Sequence, residues 1–215
     1  VLEDNCRTPS GVSYMLENRE IMMKMFPDLF HSNRVLRVDD YPTRLLQTLM
    51  SLAPKKCDSS VPTVVLLTPG HLNSAYYEHT FLSDQMGIEM VEAQDLFVEN
   101  DFLYMKTVDG PKKIDVVYRR IDDDYLDPLA YNPNSVIGVP GITHVYKTGG
   151  VNICSAPGAG IADDKAVYIY VPEMIKFYLG ETPILDNVQT WRCERDDDLK
   201  YCLLYTSPSP RDVEE

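Results

Sequence analysis

The stretch Val64-Val65-Leu66-Leu67-Thr68-Pro69-Gly70 decides the fold. Its first four residues are all apolar, as is typical of a parallel strand that is covered on both faces. The turn residues at its end lead into helical sequence from Ser74 to Met86, and a second short apolar strand runs from Ile88 to Val91. The order strand, helix, strand predicts a parallel sheet.

The sequence after this unit adds three more predicted strands. Leu96-Phe97-Val98 and the run from Phe102 to Met105 flank Asn100-Asp101, which predicts a hairpin. The apolar run from Ile114 to Arg119 is predicted to be one buried strand. Together these segments predict an α/β fold, with a small doubly wound α/β domain from Pro62 to Gly149.

Helices are predicted on the amino-terminal side of this domain. Gly11 to Met25 carries apolar residues at a loose helical spacing. Asp39-Asp40 before Tyr41-Pro42 is a helix start with proline in the first turn. Lys55 to Pro62 has the composition of a linker.

On the carboxyl-terminal side, the segment from Asn152 to Ile161 is predicted to be a glycine-rich turn. A helix should follow, capped by Asp163 or Asp164 and continuing to Tyr178. Pro172 is expected to kink this helix.

Composition excludes several classes of function. A net charge of -13 over 215 residues argues against a protein that binds the phosphate backbone of nucleic acids, because such binding needs clustered Lys and Arg. No apolar run reaches the roughly 18 residues that span a bilayer, and no signal stretch begins the chain. We therefore expect a soluble, cytoplasmic protein without membrane or nucleic-acid partners. The five scattered cysteines have neither metal-binding nor disulfide spacing.

Polar residues near the start of the chain suggest nucleotide chemistry. Glu3 and Asn5 alternate on a predicted strand, about 7 Å apart on one face, and their oxygen atoms are ligands that Mg²⁺ accepts beside phosphate groups. Ser10 and Gly11 form a turn before a helix whose first N–H groups could hold an anion. The alternative is a strand that runs into an N-capped helix.

The densest polar cluster, Arg119 to Asp124, comes where a predicted strand ends. Ligands of open α/β sheets bind beyond the carboxyl ends of strands. Arg119 and Arg120 can grip a carboxylate or phosphate, and Asp122 can orient an amine or a metal. The alternative is a solvated loop whose charges pair with one another.

Two weaker candidates lie after other elements. Asn73 and Ser74 follow the Thr68-Pro69-Gly70 turn, where the start of the next helix could bind an anion. Lys165 follows a glycine-rich stretch that lacks the ending of a phosphate-binding loop. No role is assigned to His79, because a histidine on a helix surface is more often structural than catalytic.

From Val1 to about Tyr201 the chain resembles the circularly permuted ATP-grasp family, whose members include ligases of the glutathionylspermidine synthetase type. Members carry a Glu-x-Asn pair and a Pro-Gly turn, which Glu3, Asn5, Pro9 and Gly11 match. Further matching stretches are LTPG from Leu67, NSAYYEH from Asn73, YRRIDDDYLDP from Tyr118, GVPG from Gly138 and ADDKAVYIYVPEMI from Ala162. The resemblance implies a fragment of a circularly permuted ATP-grasp fold that contains the small α/β domain.

The resemblance also implies a chemistry. Such a ligase uses ATP and Mg²⁺ to phosphorylate a carboxylate, and an amine then attacks the acylphosphate to form a peptide-like amide. The expected substrate is a small peptide or amino acid. In this scheme the metal ligands are Glu3 and Asn5, the phosphate is stabilised by Arg7, and the substrate is held by Arg119, Arg120 and Asp122. Lys165 borders the nucleotide cleft, either as a phosphate ligand or, preferably, at an ion-paired helix start.

We expect four regions. Residues 1–60 would end the metal-binding lobe and add connecting helices, 61–150 would form the substrate domain, and 151–201 would begin the nucleotide-binding lobe. Residues 202–215 begin with CLLYTSPSPRD, which resembles a translated sequencing adapter, so we expect a non-native tail there; a natural Pro/Ser-rich tail is the alternative. Both ends look cut, so this fragment is expected not to turn over ATP.

Two other functions stay open at this stage. A binding or regulatory module could keep the fold without turnover, because a fold does not fix a function. A metal-dependent hydrolase could use Glu3, Asn5 and the aspartates from Asp122 to Asp124, although nothing in the sequence resembles a histidine-rich dinuclear site.

Overall fold

The computed structural model describes residues 4–206, with the side chains of residues 205 and 206 left out. These residues fall into two compact units. The larger is Arg7–Ala159, and the smaller joins the residues before Arg7 to those from Gly160 onward. Glu3 and most of the predicted tail, residues 207–215, lie outside the described residues. The predicted divisions at residues 60, 150 and 201 stay predictions.

Regular elements make up much of both units. The described strands are β1 (Val64–Leu67), β2 (Glu89–Val91), β3 (Leu96–Glu99), β4 (Phe102–Thr107), β5 (Gly110–Ile114), β6 (Val116–Arg119) and β7 (Asn152–Cys154). The described α-helices are α1 (Val12–Met25), α2 (Pro27–Ser32), α3 (Tyr41–Ser51), α4 (Tyr76–Met86), α5 (Asp123–Leu126), α6 (Ile142–Lys147), α7 (Lys165–Tyr168), α8 (Val171–Leu179) and α9 (Asp196–Tyr201). None of these helices has the length and apolar character needed to cross a bilayer.

A parallel sheet of four strands, in the order β2-β1-β6-β7, forms the centre of the larger unit. The two central strands, β1 and β6, are buried along their whole length. One face of the sheet packs against α3 and α4 through residues such as Leu49 and Leu82. The other face packs against β4 and α6 through residues such as Leu103 and Ile142. This two-sided cover explains the uninterrupted apolar run of β1 and confirms the predicted α/β class.

The predicted hairpin is confirmed and is part of a three-stranded antiparallel sheet, β3-β4-β5. Asn100 and Asp101 have positive φ values of 49° and 64°, which is the geometry of a tight hairpin turn. Leu96 pairs with Met105 and Glu99 with Phe102.

The prediction of one strand from Ile114 to Arg119 is wrong. Ile114 ends β5, where it pairs with Leu103 of the antiparallel sheet, whereas Val116 begins β6 and pairs with Val64 of the parallel sheet. Asp115 separates them: its Oδ2 accepts a hydrogen bond from the Thr63 N–H at 2.9 Å. Its own N–H donates to the Thr63 carbonyl at 3.0 Å. A buried carboxylate inside an apolar run thus marks the change of sheet.

Two further predictions about segments of the larger unit are corrected. Asn152–Cys154 is not a turn but strand β7, which pairs with β6 and extends the sheet past residue 150. Three residues with one fully apolar side chain gave too little pattern to identify it. Helix α4 begins at Tyr76 rather than at Ser74, because Asn73 Oδ1 accepts a hydrogen bond from the Ala75 N–H and holds a turn there.

In the smaller unit, the single kinked helix predicted after Asp164 is two helices. Asp164 caps α7 by accepting a hydrogen bond from the Ala166 N–H at 2.7 Å. Pro172 lies in the first turn of α8, where a missing N–H costs nothing, so it begins a helix instead of bending one. Gly180, with φ of 69°, ends α8.

Candidate functional site

A cavity of about 380 Å³ lies at the carboxyl ends of β1 and β6 in the larger unit. Pro69 follows β1, and Arg120 and Asp122 follow β6. This is the position where open α/β sheets bind ligands. The cavity is lined by Thr8, Ser10, Pro69, Asn73, Ser74, Ala75, His79, Arg120, Ile121, Asp122, Tyr125 and Ile137.

The cavity brings together five of the residues that the sequence singled out. They are Ser10, Asn73, Ser74, Arg120 and Asp122. Arg7 reaches the same place through an ion pair, with its Nη1 3.8 Å from Asp122 Oδ1. Both side chains of this pair are partly exposed, so the attraction is weak and leaves Asp122 available to a ligand. The functional roles of all six residues stay predictions.

Arg120 forms a buried ion pair with Glu78, a residue of α4 to which the sequence analysis assigned no role. Arg120 Nη2 lies 3.1 Å from Glu78 Oε1, and both side chains are 1% exposed. Arg120 also donates to the Pro9 carbonyl at 2.5 Å and to Ser10 Oγ at 2.8 Å. Because a buried charge needs a partner and further hydrogen bonds, this network fixes the guanidinium group in the wall of the cavity.

The carboxylate of Glu78 also caps α1. Its Oε2 accepts hydrogen bonds from the Gly11 N–H at 2.7 Å, the Ser13 N–H at 3.1 Å and the Ser13 hydroxyl at 3.0 Å. The sequence left two alternatives for this helix start, an anion-binding site or an N-capped helix. In the structure the protein's own carboxylate occupies it, so the Gly11 amide does not fit a role in binding ATP.

Arg119 points elsewhere. It is fully buried and donates to the carbonyl oxygens of Ser155 at 2.9 Å and Ile121 at 2.8 Å, and its Nη1 lies 2.8 Å from Asp123 Oδ1. Burial lowers the pKa of Arg119, an effect that Asp123 and Asp122 oppose. Arg119 is not part of the cavity wall, and its donors join the segment after β6 to the segment after β7. This geometry argues against the predicted contact between Arg119 and a substrate.

His79 also lines the cavity, although the sequence analysis assigned it no role. It is 1% exposed, and its Nδ1 lies 2.9 Å from the Thr68 hydroxyl. Burial lowers the pKa of His79 to about 4, with a further contribution from the charge of Arg120 and partial opposition from Glu78. The ring is therefore neutral at pH 7. A motif could not reveal this, because the burial of one helical histidine depends on what packs over it.

The remaining candidates belong to the smaller unit. Asn5 is exposed and lies in a segment, residues 4–6, without regular structure, although a strand was predicted there. Lys165 is the first residue of α7, next to the capping Asp164. Within residues 4–206 no three His, Cys, Asp or Glu side chains are grouped as a metal site requires. Of the predicted Mg²⁺ ligands the structure describes Asn5 alone, and one amide oxygen is too few to build a metal site from.

Comparison with known proteins identifies one family and several relatives. A family described as a circularly permuted ATP-grasp matches residues 1–207. An uncharacterized protein of Synechocystis sp. is 53% identical over 203 residues, which are 94% of this chain and 42% of that protein. An uncharacterized protein of Mycobacterium tuberculosis is 53% identical over 94% of this chain and 36% of its own length.

A protein of Frankia alni named putative glutamate--cysteine ligase 2-3 is 38% identical over 94% of this chain and 23% of its own length. The chain thus spans less than half the length of each of these relatives. The family match, in contrast, covers nearly the whole chain. On that match, the chain belongs to the circularly permuted ATP-grasp family.

Proposed function

We propose that this chain contributes the substrate-binding part of an ATP- and Mg²⁺-dependent carboxylate–amine ligase that forms a peptide-like amide bond. One observation carries the proposal: the cavity after β1 and β6 combines a cationic wall at Arg120 with a carboxylate at Asp122. These two charges are complementary to the carboxylate and the ammonium group of an amino acid. Membership of the ATP-grasp family supports the reaction type.

The proposed reaction has two steps. An oxygen of the substrate carboxylate attacks the γ-phosphorus of ATP, and ADP leaves, which gives an acylphosphate. The nitrogen of an amine then attacks the acyl carbon, inorganic phosphate leaves, and the amine loses a proton. Mg²⁺, when bound, screens the phosphate charges. The proposal keeps the roles that the family resemblance implies. Mg²⁺ is bound by Glu3 and Asn5, and the phosphate is stabilised by Arg7. Lys165 borders the nucleotide cleft.

In this proposal the cavity residues orient the substrate. Asp122, whose side chain is 55% exposed, accepts hydrogen bonds from an ammonium group. Asn73 and Ser74 add polar groups from the turn before α4. Arg120 contributes positive charge from a position that Glu78 fixes. A cytoplasmic location accompanies this proposal as a prediction.

The test uses a relative of full length, because this chain corresponds to less than half of such a protein. The Synechocystis protein is incubated with ATP, Mg²⁺ and pairs of amino acids, beginning with L-glutamate and L-cysteine, which the name of the Frankia protein suggests. We expect ADP release that depends on both amino acids, and transfer of ¹⁸O from a labelled carboxylate to inorganic phosphate. In a full-length relative that carries an aspartate at the position of Asp122, replacing it by Asn should raise the KM for the amine at least tenfold.

A second candidate is a binding module without turnover. The full use of Arg119 by carbonyl oxygens and Asp123 favours it, because that arginine is then unavailable to a reacting group. Binding of amino acids without any ADP release by the full-length relative would select this candidate. Phosphate release without an amine would instead select the hydrolase, for which the described residues offer no grouped metal ligands.

A further inference from the structure

The hydrogen bond between Thr68 and His79 determines where the imidazole carries its proton. Thr68 is fully buried, and its Oγ1 accepts a hydrogen bond from the Gly70 N–H at 3.2 Å. Among the described residues, His79 Nδ1 is the one acceptor within reach of the Thr68 hydroxyl proton. A buried hydroxyl group that donated to nothing would lose the free energy of a hydrogen bond. The Thr68 O–H therefore donates to Nδ1.

The consequence for His79 is a donor on the other side of the ring. A neutral imidazole carries one proton, and Nδ1 is occupied as an acceptor, so the proton lies on Nε2. Nε2 has no hydrogen-bond partner among residues 4–206, and His79 lines the cavity. The cavity wall thus includes a neutral N–H group from His79.

Arg120 brings a charged group to the same cavity. Its side chain is 1% exposed and lines the cavity, and its buried Nε has no hydrogen-bond partner in the described part of the chain. Its pairing with Glu78 reduces its positive charge without removing it. A neutral N–H beside a partly compensated guanidinium suits a singly charged carboxylate better than a doubly charged phosphate, and Asp122 in the same wall further disfavours a phosphate.

We propose that His79, protonated on Nε2 and held by Thr68, donates a hydrogen bond to the carboxylate of an amino-acid or peptide substrate in this cavity. Arg120 supplies the adjacent positive charge, and Asp122 receives the amino group of the same molecule. The inference rests on the proposed function and deepens it, because it states that the carboxylate end of the substrate faces α4.

The first test measures the tautomer and binding together in the unmodified chain. The protein is labelled with ¹⁵N-histidine, and the His79 resonances are assigned by their loss in His79→Gln. We expect Nε2 to show the shift of a protonated ring nitrogen and Nδ1 that of an unprotonated one. L-Cysteine or glycine should shift these signals, whereas cysteamine and methylamine, the corresponding amines without a carboxylate, should not.

Two variants separate the donor from the fold. His79→Gln can place an amide N–H near the position of Nε2, whereas His79→Asn can replace Nδ1 alone. For the amino acid that binds, we expect the Kd of His79→Gln to stay within about threefold and that of His79→Asn to rise about tenfold or more. His144→Gln, at an exposed histidine that pairs with Asp101, is the matched control and should leave the Kd unchanged.

Several results would overturn the inference. One is a proton on Nδ1 in the unmodified chain, and another is equal binding of the amines and the amino acids. A third is a response of His79 to inorganic phosphate alone, which would reassign the site to a phosphate group. Failure of ADP release in the full-length relative, with carboxylate binding intact here, would instead contradict the proposed ligase reaction and leave this inference standing.

Discussion

Acidification should destabilise this protein through His79. The lowered pKa, caused mainly by burial, means that the folded state keeps the ring neutral down to about pH 4, whereas the unfolded chain binds a proton below the ordinary histidine pKa of 6.5. Because the unfolded state then holds more protons, the free energy of unfolding falls as the pH decreases through this window. Arg120 disfavours the proton in the folded state, and Glu78 favours it.

The size of the effect follows from these two pKa values. Between pH 7.5 and pH 5, proton binding to the unfolded state alone should remove about 2 kcal/mol of stability. The full difference, reached near pH 4 and below, is about 3 kcal/mol. The side chain is 1% exposed, so screening by solvent does not reduce this value much.

Urea unfolding at pH 7.5, 6.5, 5.5 and 5.0 measures the effect in the unmodified chain and in His79→Gln. Other titrating groups are common to both proteins, so the difference between the two pH profiles reports His79. The profile of His144→Gln should follow that of the unmodified chain to within about 0.5 kcal/mol, because His144 and its partner Asp101 are both exposed. Parallel profiles for His79→Gln and the unmodified chain would refute the reasoning.

Three further substitutions test the packing around the site, each measured by urea unfolding at pH 7.5. Arg120→Met should lower the free energy of unfolding by about 3 to 5 kcal/mol, because it leaves the carboxylate of Glu78 buried without its ion partner. Adding Glu78→Gln should recover part of this loss, and a double variant no more stable than Arg120→Met would contradict the reasoning. Asp127→Ala should lower the free energy of unfolding by about 3 kcal/mol, since the carboxylate accepts hydrogen bonds from three backbone N–H groups. A loss below about 1 kcal/mol would mean that water takes the place of the carboxylate. Gly150→Ala should lower the free energy of unfolding by at least about 3 kcal/mol, because its Cβ would lie 2.0 Å from the backbone oxygen of Asp101. Unchanged stability would show that the backbone at residue 150 can move away from that at residue 101.

The sequence predicted the elements whose pattern is local. The apolar run of β1, the hairpin around Asn100-Asp101 and the proline-led start of α3 all follow from neighbouring residues, and all are confirmed. What the sequence could not predict was the break at Asp115, since this depends on a partner 52 positions away. The three-residue strand β7 was missed because it relies on the edge of β6 more than on its own side chains.

The residues of the candidate site also differ in whether the sequence could predict them. Arg120 and Asp122 were predicted because they follow a strand, and strand ends meet at one edge of a parallel sheet. The partner of Arg120 was not predictable, because Glu78 lies 42 positions earlier and only the folded chain brings the two side chains together. The position of Arg119 could not be foreseen either, since it depends on the carbonyl oxygen of Ser155, which lies 36 positions later in the chain.

The junction at Asp115 has a consequence for the order of folding. Strands β3, β4 and β5 pair with their sequence neighbours, whereas β1 and β6 must close a long loop before they pair. The antiparallel sheet can therefore form early and present Asp115 to Thr63, which sets the register of the parallel sheet. Substitutions in the antiparallel sheet should then slow refolding, whereas substitutions at the contact between β1 and β6 should mainly accelerate unfolding.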